Sequence, residues 1–176
     1  MTEINPLDVL AIKNVVSRYC QALDSKDFEM LGEVFLPDVQ ANYPFNNNMK
    51  SVNEVKNAIK NRYSLDPFSG RVFCQNLTAL LSLGPVRTHH SLTTQTITFR
   101  PDARTAQVET YFQGVHGPHE GKMLCAYGKY IDNVVLLKAE NDDCEGVRGA
   151  SGIWRITKRT VTFTQRIGDE KIMQEH

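Results

Sequence analysis

The sequence predicts an α+β fold in which N-terminal helices pack against a strongly curved antiparallel sheet. Three observations support this fold. Helical spacing of apolar residues is confined to the first part of the chain, long alternating stretches follow from Thr88 onward, and no repeat or linker divides the 176 residues. A chain of this length can bury the core of one domain. We therefore expect a single domain over residues 1–176, with a frayed tail from about residue 168.

The first helix is expected to begin after Asn5 and to end at a bend formed by Asp24 and Ser25. Asn5 can cap the first turn, and Pro6 has the fixed backbone angle that suits the first helical position. Apolar residues recur at intervals of three and four, the spacing of one buried helical face. They are Val9, Ile12, Val16, Tyr19 and Leu23. A core-facing tyrosine thus lies shortly before a carboxylate at the bend.

Two more helices are predicted before the chain becomes rich in strands. The second helix is short, can be capped by Ser25 and ends before Pro37. Its apolar side comprises Phe28, Leu31, Val34 and Phe35. Ser51 and Glu54 form a capping box at the start of the third helix. Residues 66–88 favour no single assignment, because proline and glycine interrupt them repeatedly.

The strands are predicted from alternation of apolar and polar residues and from the turns between them. They cover residues 39–43, 91–99, 105–115, 123–138 and 152–166. An asparagine-rich loop over 44–48 follows the first strand. A loop rich in glycine and histidine spans 114–121, and a polar insertion spans 139–151.

Composition excludes several classes of function. The 20 basic and 20 acidic residues cancel, so no general field attracts nucleic acid or an anionic membrane. No apolar run is long enough for a membrane span, and the N-terminus lacks the order of a secretory signal. The four cysteines form no CxxC pair, which favours reduced thiols and a cytoplasmic protein. No dinucleotide or phosphate-loop motif is present, so we expect no cofactor.

Arg159 is a candidate interior charge on the last strand. Side chains alternate between the faces of a strand, so Arg159 shares a face with Val161 and Phe163, whereas Trp154 and Ile156 lie on the other. If the face with Val161 lines the interior, Arg159 is carried inside. A guanidinium there keeps its charge and requires a carboxylate or an anionic ligand. If that face is half exposed, Arg159 is an ordinary surface residue.

His89 and His90 begin a predicted strand and point to opposite faces, so at most one of them lines a pocket. Strict alternation from Ile97 favours His89. A bulge near residues 93–94 favours His90 instead. Periodicity alone leaves both open.

His116 has the parity of Val108 and Phe112, so it points inward if no bulge intervenes. As a residue beside a glycine, it can equally be a loop histidine. Four histidines within about thirty residues also raise a metal interpretation. They are His89, His90, His116 and His119. Their spacing matches no zinc signature, so we assign no metal site.

Tyr19 and Asp24 also have two interpretations. Tyr19 can be a core aromatic with its hydroxyl at the rim, and Asp24 can be a turn or cap residue. Alternatively, both can belong to a site that is completed by residues of the later strands.

Four stretches together resemble a known family. They are similar to segments of SnoaL-like, scytalone dehydratase-like proteins. The first two helices of that family resemble RYCQALDSKDFEMLGEVFLPD, and its histidine-bearing strand resembles THHSLTTQTITF. Its two long C-terminal strands resemble YGKYIDNVV and GIWRITKRTVTF. These proteins belong to the NTF2-like superfamily of cone-shaped α+β barrels. The resemblance covers about residues 5–168 and implies that fold.

The resemblance also implies site residues. Asp24 and His90 fall on the catalytic aspartate and histidine of the family's dehydratases, and Arg159 falls on a catalytic arginine. The spacing from Tyr19 to Asp24 matches a family tyrosine and aspartate. The catalytic residues that we expect are therefore Asp24, His90, Arg159 and Tyr19. Tyr43 and His116 fall near family pocket residues. The expected substrate contacts are Tyr43, His116, His89, Phe112 and Trp154.

The resemblance implies a cofactor-independent lyase or isomerase of the dehydratase or cyclase type. Its substrate would be a small hydrophobic, polycyclic or aromatic molecule from natural-product biosynthesis, and a His–Asp dyad would abstract the proton. One alternative is a noncatalytic binding protein of the same fold; another is an accessory subunit of a ring-hydroxylating oxygenase. We also expect a homo-oligomer, dimer or trimer, because such cones leave a sheet face uncovered. Trp154, Ile156 and the face of residues 127–131 could supply the interface.

Overall fold

The structure, a computed structural model, describes residues 3–63, 86–119, 121–138, 145–169 and 172. Its elements in chain order are helix α1 (Pro6–Ser25), a 3₁₀ helix (Phe28–Glu33), strands β1 (Phe35–Tyr43) and β2 (Asn46–Met49), helix α2 (Val52–Tyr63), and strands β3 (Thr88–Phe99), β4 (Thr105–His119), β5 (Lys122–Leu137) and β6 (Ile153–Gly168). Most of the unassigned stretch 66–88 and part of the polar insertion lie outside the described residues.

The six strands form one curved, unclosed sheet in the order β2-β1-β6-β5-β4-β3. The β1–β6 pair is parallel, and the other four pairs are antiparallel. The predicted α+β fold with a curved, mostly antiparallel sheet and N-terminal helices is therefore confirmed. β1 arrives from the helices and joins the edge of β6, which ties the helical part of the chain to the meander.

The core lies between the helices and the inner face of the sheet. The stripe of α1 packs there as predicted, except that Val9 is 37% exposed and Val15 is buried in its place. β5 contributes an unbroken alternation of buried residues. They are Leu124, Ala126, Gly128, Tyr130, Asp132, Val134 and Leu136. One member of this row, Asp132, is a fully buried carboxylate and therefore requires a partner.

Local signals account for the helix ends. The Asn5 side chain accepts a hydrogen bond from the Leu7 amide at 3.0 Å, with proline at the first helical position. At the other end, Lys26 adopts the left-handed conformation that ends many helices. The capping box of α2 also forms, since Ser51 Oγ accepts from the Glu54 amide at 3.2 Å. No described helix has the length and apolar character to cross a bilayer.

Of the register shifts in the sheet, one in β3 and one in β6 reset the direction of predicted site residues. In β3, Leu92 pairs with Phe112 and Gln95 pairs with Thr110, so residues 93 and 94 face one residue of β4 and form a bulge. In β6, Lys158 and Ile156 face consecutive residues of β5, so Thr157 is the extra residue. Each bulge inverts alternation beyond it. Nothing in the composition of these strands marks their positions.

The bulge at Thr157 overturns one prediction. Trp154 and Ile156 are 1% and 0% exposed and face the interior, as Arg159 and Val161 do. Strict alternation placed the two pairs on opposite faces, and the extra residue brings them to the same one. Trp154 and Ile156 are thus core residues and cannot supply an oligomer interface.

Three boundaries differ from the sequence prediction. The second helix is a 3₁₀ helix ending at Glu33, and β1 begins at Phe35 rather than at residue 39. β1 tolerates Pro37 because its register with β6 passes from Phe35 to Gln40 without a pair at the proline. The asparagine-rich loop contains a short strand, Asn46–Met49, that pairs with β1.

Candidate active site

Asp24 and His90 form a hydrogen-bonded pair between the end of α1 and the start of β3. His90 Nδ1 lies 2.7 Å from Asp24 Oδ1, and the backbone amide of His90 donates to Oδ2 at 2.8 Å. The hydroxyl of Thr88 also donates to Oδ1, at 2.9 Å. The His90 side chain is 4% exposed and that of Asp24 is 25% exposed. This geometry brings together two residues that lie 66 positions apart.

The pair defines the protonation of Asp24 and the tautomer of a neutral His90 imidazole. Partial burial raises the pKa of Asp24, but the hydrogen bonds from His90 and Thr88 outweigh it and lower the pKa to about 2. Asp24 is therefore a carboxylate near neutral pH and accepts the hydrogen of Nδ1. Neutral His90 then has its lone pair on Nε2, the nitrogen that can accept a proton.

A cavity opens beside His90 on the inner face of the sheet. The space within it measures about 40 Å³. Its wall is mainly aromatic and aliphatic. The aromatic residues in it are Tyr19, Tyr43, Phe45, Phe112, Tyr130 and Phe163. The imidazoles of His90 and His116 and the guanidinium of Arg166 also line the cavity. Among the described residues, no carboxylate lines it.

His116 faces His90 across a gap that depends on Gly114. The two imidazole centroids are 5.9 Å apart, with the rings nearly perpendicular, and His116 is 6% exposed. Gly114 pairs with His90 in the β3–β4 ladder. A Cβ atom at Gly114 would lie 3.2 Å from Cδ2 and Nε2 of His90. Both histidines thus reach the cavity because this position has no side chain.

Arg159 pairs with Asp132 and not with Asp24. Its Nε and Nη2 donate to the two carboxylate oxygens of Asp132 at 2.7 and 2.6 Å, and both side chains are fully buried. Burial lowers the pKa of Arg159, but the charge of Asp132 outweighs it and holds the pKa well above its ordinary value. Asp132 is therefore the carboxylate that a buried Arg159 was expected to require. The matching carboxylate comes from β5.

Tyr19 and Tyr130 enclose the guanidinium of Arg159. Its central carbon lies 4.1 Å from the centroid of the Tyr19 ring and 4.4 Å from that of Tyr130. Tyr43 lines the same side of the cavity and is 3% exposed. Burial raises the pKa of the Tyr43 phenol, and the charge of Arg159 opposes that rise. A phenol that keeps its hydrogen can donate to a substrate oxygen.

Phe112 forms part of the wall through a close stack. Its ring is nearly parallel to that of Tyr130, with a centroid separation of 4.3 Å. A Cβ atom on Gly128 would come within 2.9 Å of the Phe112 ring, so this glycine leaves room for the stack.

Two predicted substrate contacts lie away from the cavity. His89 is exposed and points away from the face that carries His90, because the bulge at residues 93–94 selects His90. Trp154 is buried edge-on against Phe99, with ring centroids 5.9 Å apart, in a part of the core that does not line the cavity. Both assignments are corrected.

Sequence reasoning missed several residues of the site. Asp132 had a readable signal, since it shares parity with Tyr130 and Val134 in a strand with unbroken alternation. Thr88 and Gly114 had none, because their importance comes from the register between β3 and β4 and from the position of Asp24. Arg166 lines the open end of the cavity, with its guanidinium 5.2 Å from the Phe163 ring.

Metal ligation has little support in the part of the chain that the structure describes. No group of three or more histidine, cysteine, aspartate or glutamate residues is arranged to hold an ion there. The side chain of His119, one of the four histidines weighed as ligands, lies outside that part.

The fold and the paired Asp24 and His90 define a cone-shaped α+β protein with a histidine–carboxylate pair beside an aromatic cavity. The chain belongs to the family of SnoaL-like domains, whose model matches residues 6–160. No curated protein sequence matches it significantly.

Solved structures share this fold over nearly the whole chain. A scytalone dehydratase-like protein from Novosphingobium aromaticivorans DSM 12444 has 20% identity and a TM-score of 0.67, covering 97% of this chain and 93% of its own. An aromatic ring hydroxylase-like protein from N. aromaticivorans has 17% identity and a TM-score of 0.67, covering 97% and 99%. The hexachlorocyclohexane dehydrochlorinase LinA-type3 from Novosphingobium barchaimii LL02 has 11% identity and a TM-score of 0.62, covering 93% and 90%. At these identities the likeness concerns the fold.

Proposed function

We propose that the protein is a cofactor-independent lyase or isomerase, of the dehydratase or cyclase type, that acts on a small hydrophobic ring compound. The observation that carries the proposal is the Asp24–His90 pair, whose 2.7 Å hydrogen bond directs the free nitrogen of a nearly buried imidazole toward an aromatic cavity. Structural neighbours named for dehydratase and dehydrochlorinase chemistry support the reaction class.

The proposed reaction begins with removal of a proton from carbon. His90 Nε2 takes a proton from the carbon beside a carbonyl group, and Asp24 stabilises the imidazolium that forms. The electron pair of the broken C–H bond moves toward the carbonyl, whose developing negative charge accepts a hydrogen bond from Tyr43 or Tyr19. Arg159 acts on this charge through Tyr19 and Tyr130, whose rings enclose its guanidinium, and does not touch the substrate.

A dehydratase completes the reaction by expelling a hydroxyl group. The electron pair forms a carbon–carbon double bond, the bond from carbon to hydroxyl breaks, and His116 donates the proton with which water leaves. His116 is suitably placed because it faces His90 across the cavity. An isomerase uses the same first step and then returns the proton to a different carbon atom. A cyclase uses the same first step, and the carbanion then bonds to another carbon atom of the substrate.

The cavity sets the requirements for the substrate. Its aromatic wall suits a flat apolar ring system with one or two oxygen groups. The free space of about 40 Å³ is well below the roughly 150 Å³ of a cavity that binds benzene, so a ring substrate must displace side chains at the open end near Phe163 and Arg166. We further propose a tailoring step in natural-product biosynthesis, which a polyketide or terpenoid synthase encoded beside this protein would support.

Proton abstraction can be tested before the substrate is known. Bicyclic aryl ketones, with and without a β-hydroxyl, are incubated with the protein in D₂O, and NMR follows deuterium entry beside the carbonyl. We expect exchange with the natural protein and its reduction by about 10²–10⁴-fold in His90→Ala and in Asp24→Asn. His89→Ala is the matched control, because this neighbouring imidazole is exposed on the opposite face.

Two results would oppose the proposal. Full exchange in His90→Ala would remove the imidazole from the reaction. Ligand binding that survives Asp24→Asn, with no exchange or product for any ketone in the series, would identify a noncatalytic binding protein of the same fold. An iron-containing partner that co-purifies with the chain would instead favour an accessory subunit.

A further inference from the structure

Lys26 belongs to the same hydrogen-bonded group as Asp24. It is the C-terminal cap of α1 and has a φ of 62° and a ψ of 18°, a backbone conformation for which glycine is the usual residue. Its side chain folds back over the helix end. The ammonium group donates to the carbonyl oxygen of Leu23 at 2.9 Å and to Thr88 Oγ1 at 2.8 Å.

The hydrogen bond from Lys26 fixes the direction of the Thr88 hydroxyl. An ammonium group can only donate, so Thr88 Oγ1 accepts from Lys26 and its single hydrogen must go to another acceptor. The nearer acceptor is Asp24 Oδ1 at 2.9 Å, and the Leu23 carbonyl is farther away at 3.4 Å. The result is a chain of hydrogen bonds from ammonium to hydroxyl to carboxylate to imidazole.

We propose that Lys26 and Thr88 are positioning residues that keep the carboxylate of Asp24 directed at His90, so that the Asp24–His90 pair is fully formed only while Lys26 is charged. The consequence for catalysis rests on the proposed function, whereas the effect on the pair does not. Lys26 acts through Thr88 and Asp24 and touches neither the cavity nor a substrate.

Lys26 can change its charge in an accessible pH range. Burial lowers the pKa of Lys26 to about 8, although the negative charge of Asp24 opposes the decrease. Several titratable groups lie on the elements packed around it. They are Asp24 and Asp27 at the end of α1, Glu29 of the 3₁₀ helix, His89 and His90 of β3, and His116 of β4. Of these, Asp24 is the group whose charge raises the pKa of Lys26.

The test observes the pair directly by NMR. The hydrogen between His90 Nδ1 and Asp24 should give a proton signal downfield of the amides, because the imidazole is nearly buried and its hydrogen bond is short. We expect this signal to weaken between pH 7 and pH 9, together with the titration of the Lys26 side chain followed through its Cε resonance.

Four variants separate positioning from folding. In Lys26→Met and Thr88→Val, the downfield signal should be weak at pH 6.5 as well as at pH 9. In Lys26→Arg, which keeps its charge, the signal should persist above pH 9. Lys26→Gly relieves the left-handed backbone, so it should melt within a few degrees of the natural protein and still lose the signal. Lys56→Met is the matched control, since this lysine pairs with Glu29 away from the cavity.

The outcomes distinguish this inference from the proposed function. A Lys26 side chain that titrates near its ordinary value of 10.5, or a signal in Lys26→Met that matches the natural protein from pH 6.5 to pH 9, would overturn the inference even if exchange activity is found. A signal that follows the charge of Lys26, in a protein that exchanges no ketone proton, would support the positioning role while contradicting the enzyme.

Discussion

Asp24 combines a structural and a chemical role in one carboxylate. It lies in the last turn of α1, and it accepts three hydrogen bonds from Thr88 and His90. A turn residue has no need of such bonds from a strand 66 positions away. The two interpretations of Asp24 that the sequence left open are therefore compatible.

The low pKa of Asp24 predicts a pH-dependent contribution to stability. The pKa is about 2 in the folded protein and near 3.8 when unperturbed, so the ionised form favours folding above about pH 4. That contribution, about 1–2 kcal/mol after allowance for partial exposure, is lost as the pH falls through 2. Asp24→Asn lacks it at every pH. Urea unfolding should give a higher free energy of unfolding for the natural protein than for Asp24→Asn at pH 7, and the difference should be smaller at pH 3. A difference that stays constant with pH contradicts the assigned hydrogen bonds.

Gly114 offers a second test at the scale of one residue. In Gly114→Ala the new methyl group lies 3.2 Å from the His90 ring, so the imidazole must shift by a few tenths of an ångström. We expect exchange activity to fall about 10- to 100-fold with little loss of stability, because misplacement of a reacting group is costly. Gly32→Ala is the control, since its Cβ would have only Lys56 Nζ within 4.0 Å. Equal activity in both variants would show that His90 needs no such space.

At the scale of elements, the β-bulges decide which side chains reach the interior. The extra residue in β3 places His90 inside, and Thr157 in β6 places Trp154 on the same face as Arg159. A single inserted residue inverts a period of two. The sequence predicted the alternation of side chains on each side of a bulge, but it did not predict which face each part of the strand presents to the interior.

The strands β5 and β6 are joined by a buried ion pair directly across the ladder. Asp132 and Arg159 are partners in the β5–β6 register. Removing one partner leaves an uncompensated buried charge, so Arg159→Met and Asp132→Leu should each lower the free energy of unfolding by about 3–5 kcal/mol. The double variant should recover much of this loss, since apolar groups can replace a buried pair.

Urea denaturation of the four proteins in this cycle measures the coupling between the two residues. Losses that simply add in the double variant would show that Asp132 and Arg159 do not depend on each other. The same cycle bears on the reaction. If Arg159 acts only through Tyr19 and Tyr130, exchange should fall less in Arg159→Met than in His90→Ala.

For the whole molecule, the outer sheet face predicts association between copies of the chain. Tyr111 on β4 is 42% exposed, and Ile131 on β5 is half-buried on the same outer face. We propose that this face, rather than the one bearing Trp154, joins protomers in a dimer or trimer. Sedimentation velocity should give a mass of two or three chains at micromolar concentration, and Ile131→Lys should reduce it to one. A natural protein that sediments as a monomer contradicts this proposal.

The sequence by itself determined the fold class and the N-terminal caps of α1 and α2, because each follows from local spacing or from a local hydrogen bond. Motifs in order along the chain also indicated the SnoaL-like family, which the match over residues 6–160 confirms. Periodicity left His89 and His90 open and the resemblance favoured His90, but the tertiary structure decided that His90 lines the cavity and that Asp132 neutralises Arg159. These outcomes depend on the register between strands, and an extra residue changes that register without leaving a mark in composition or periodicity.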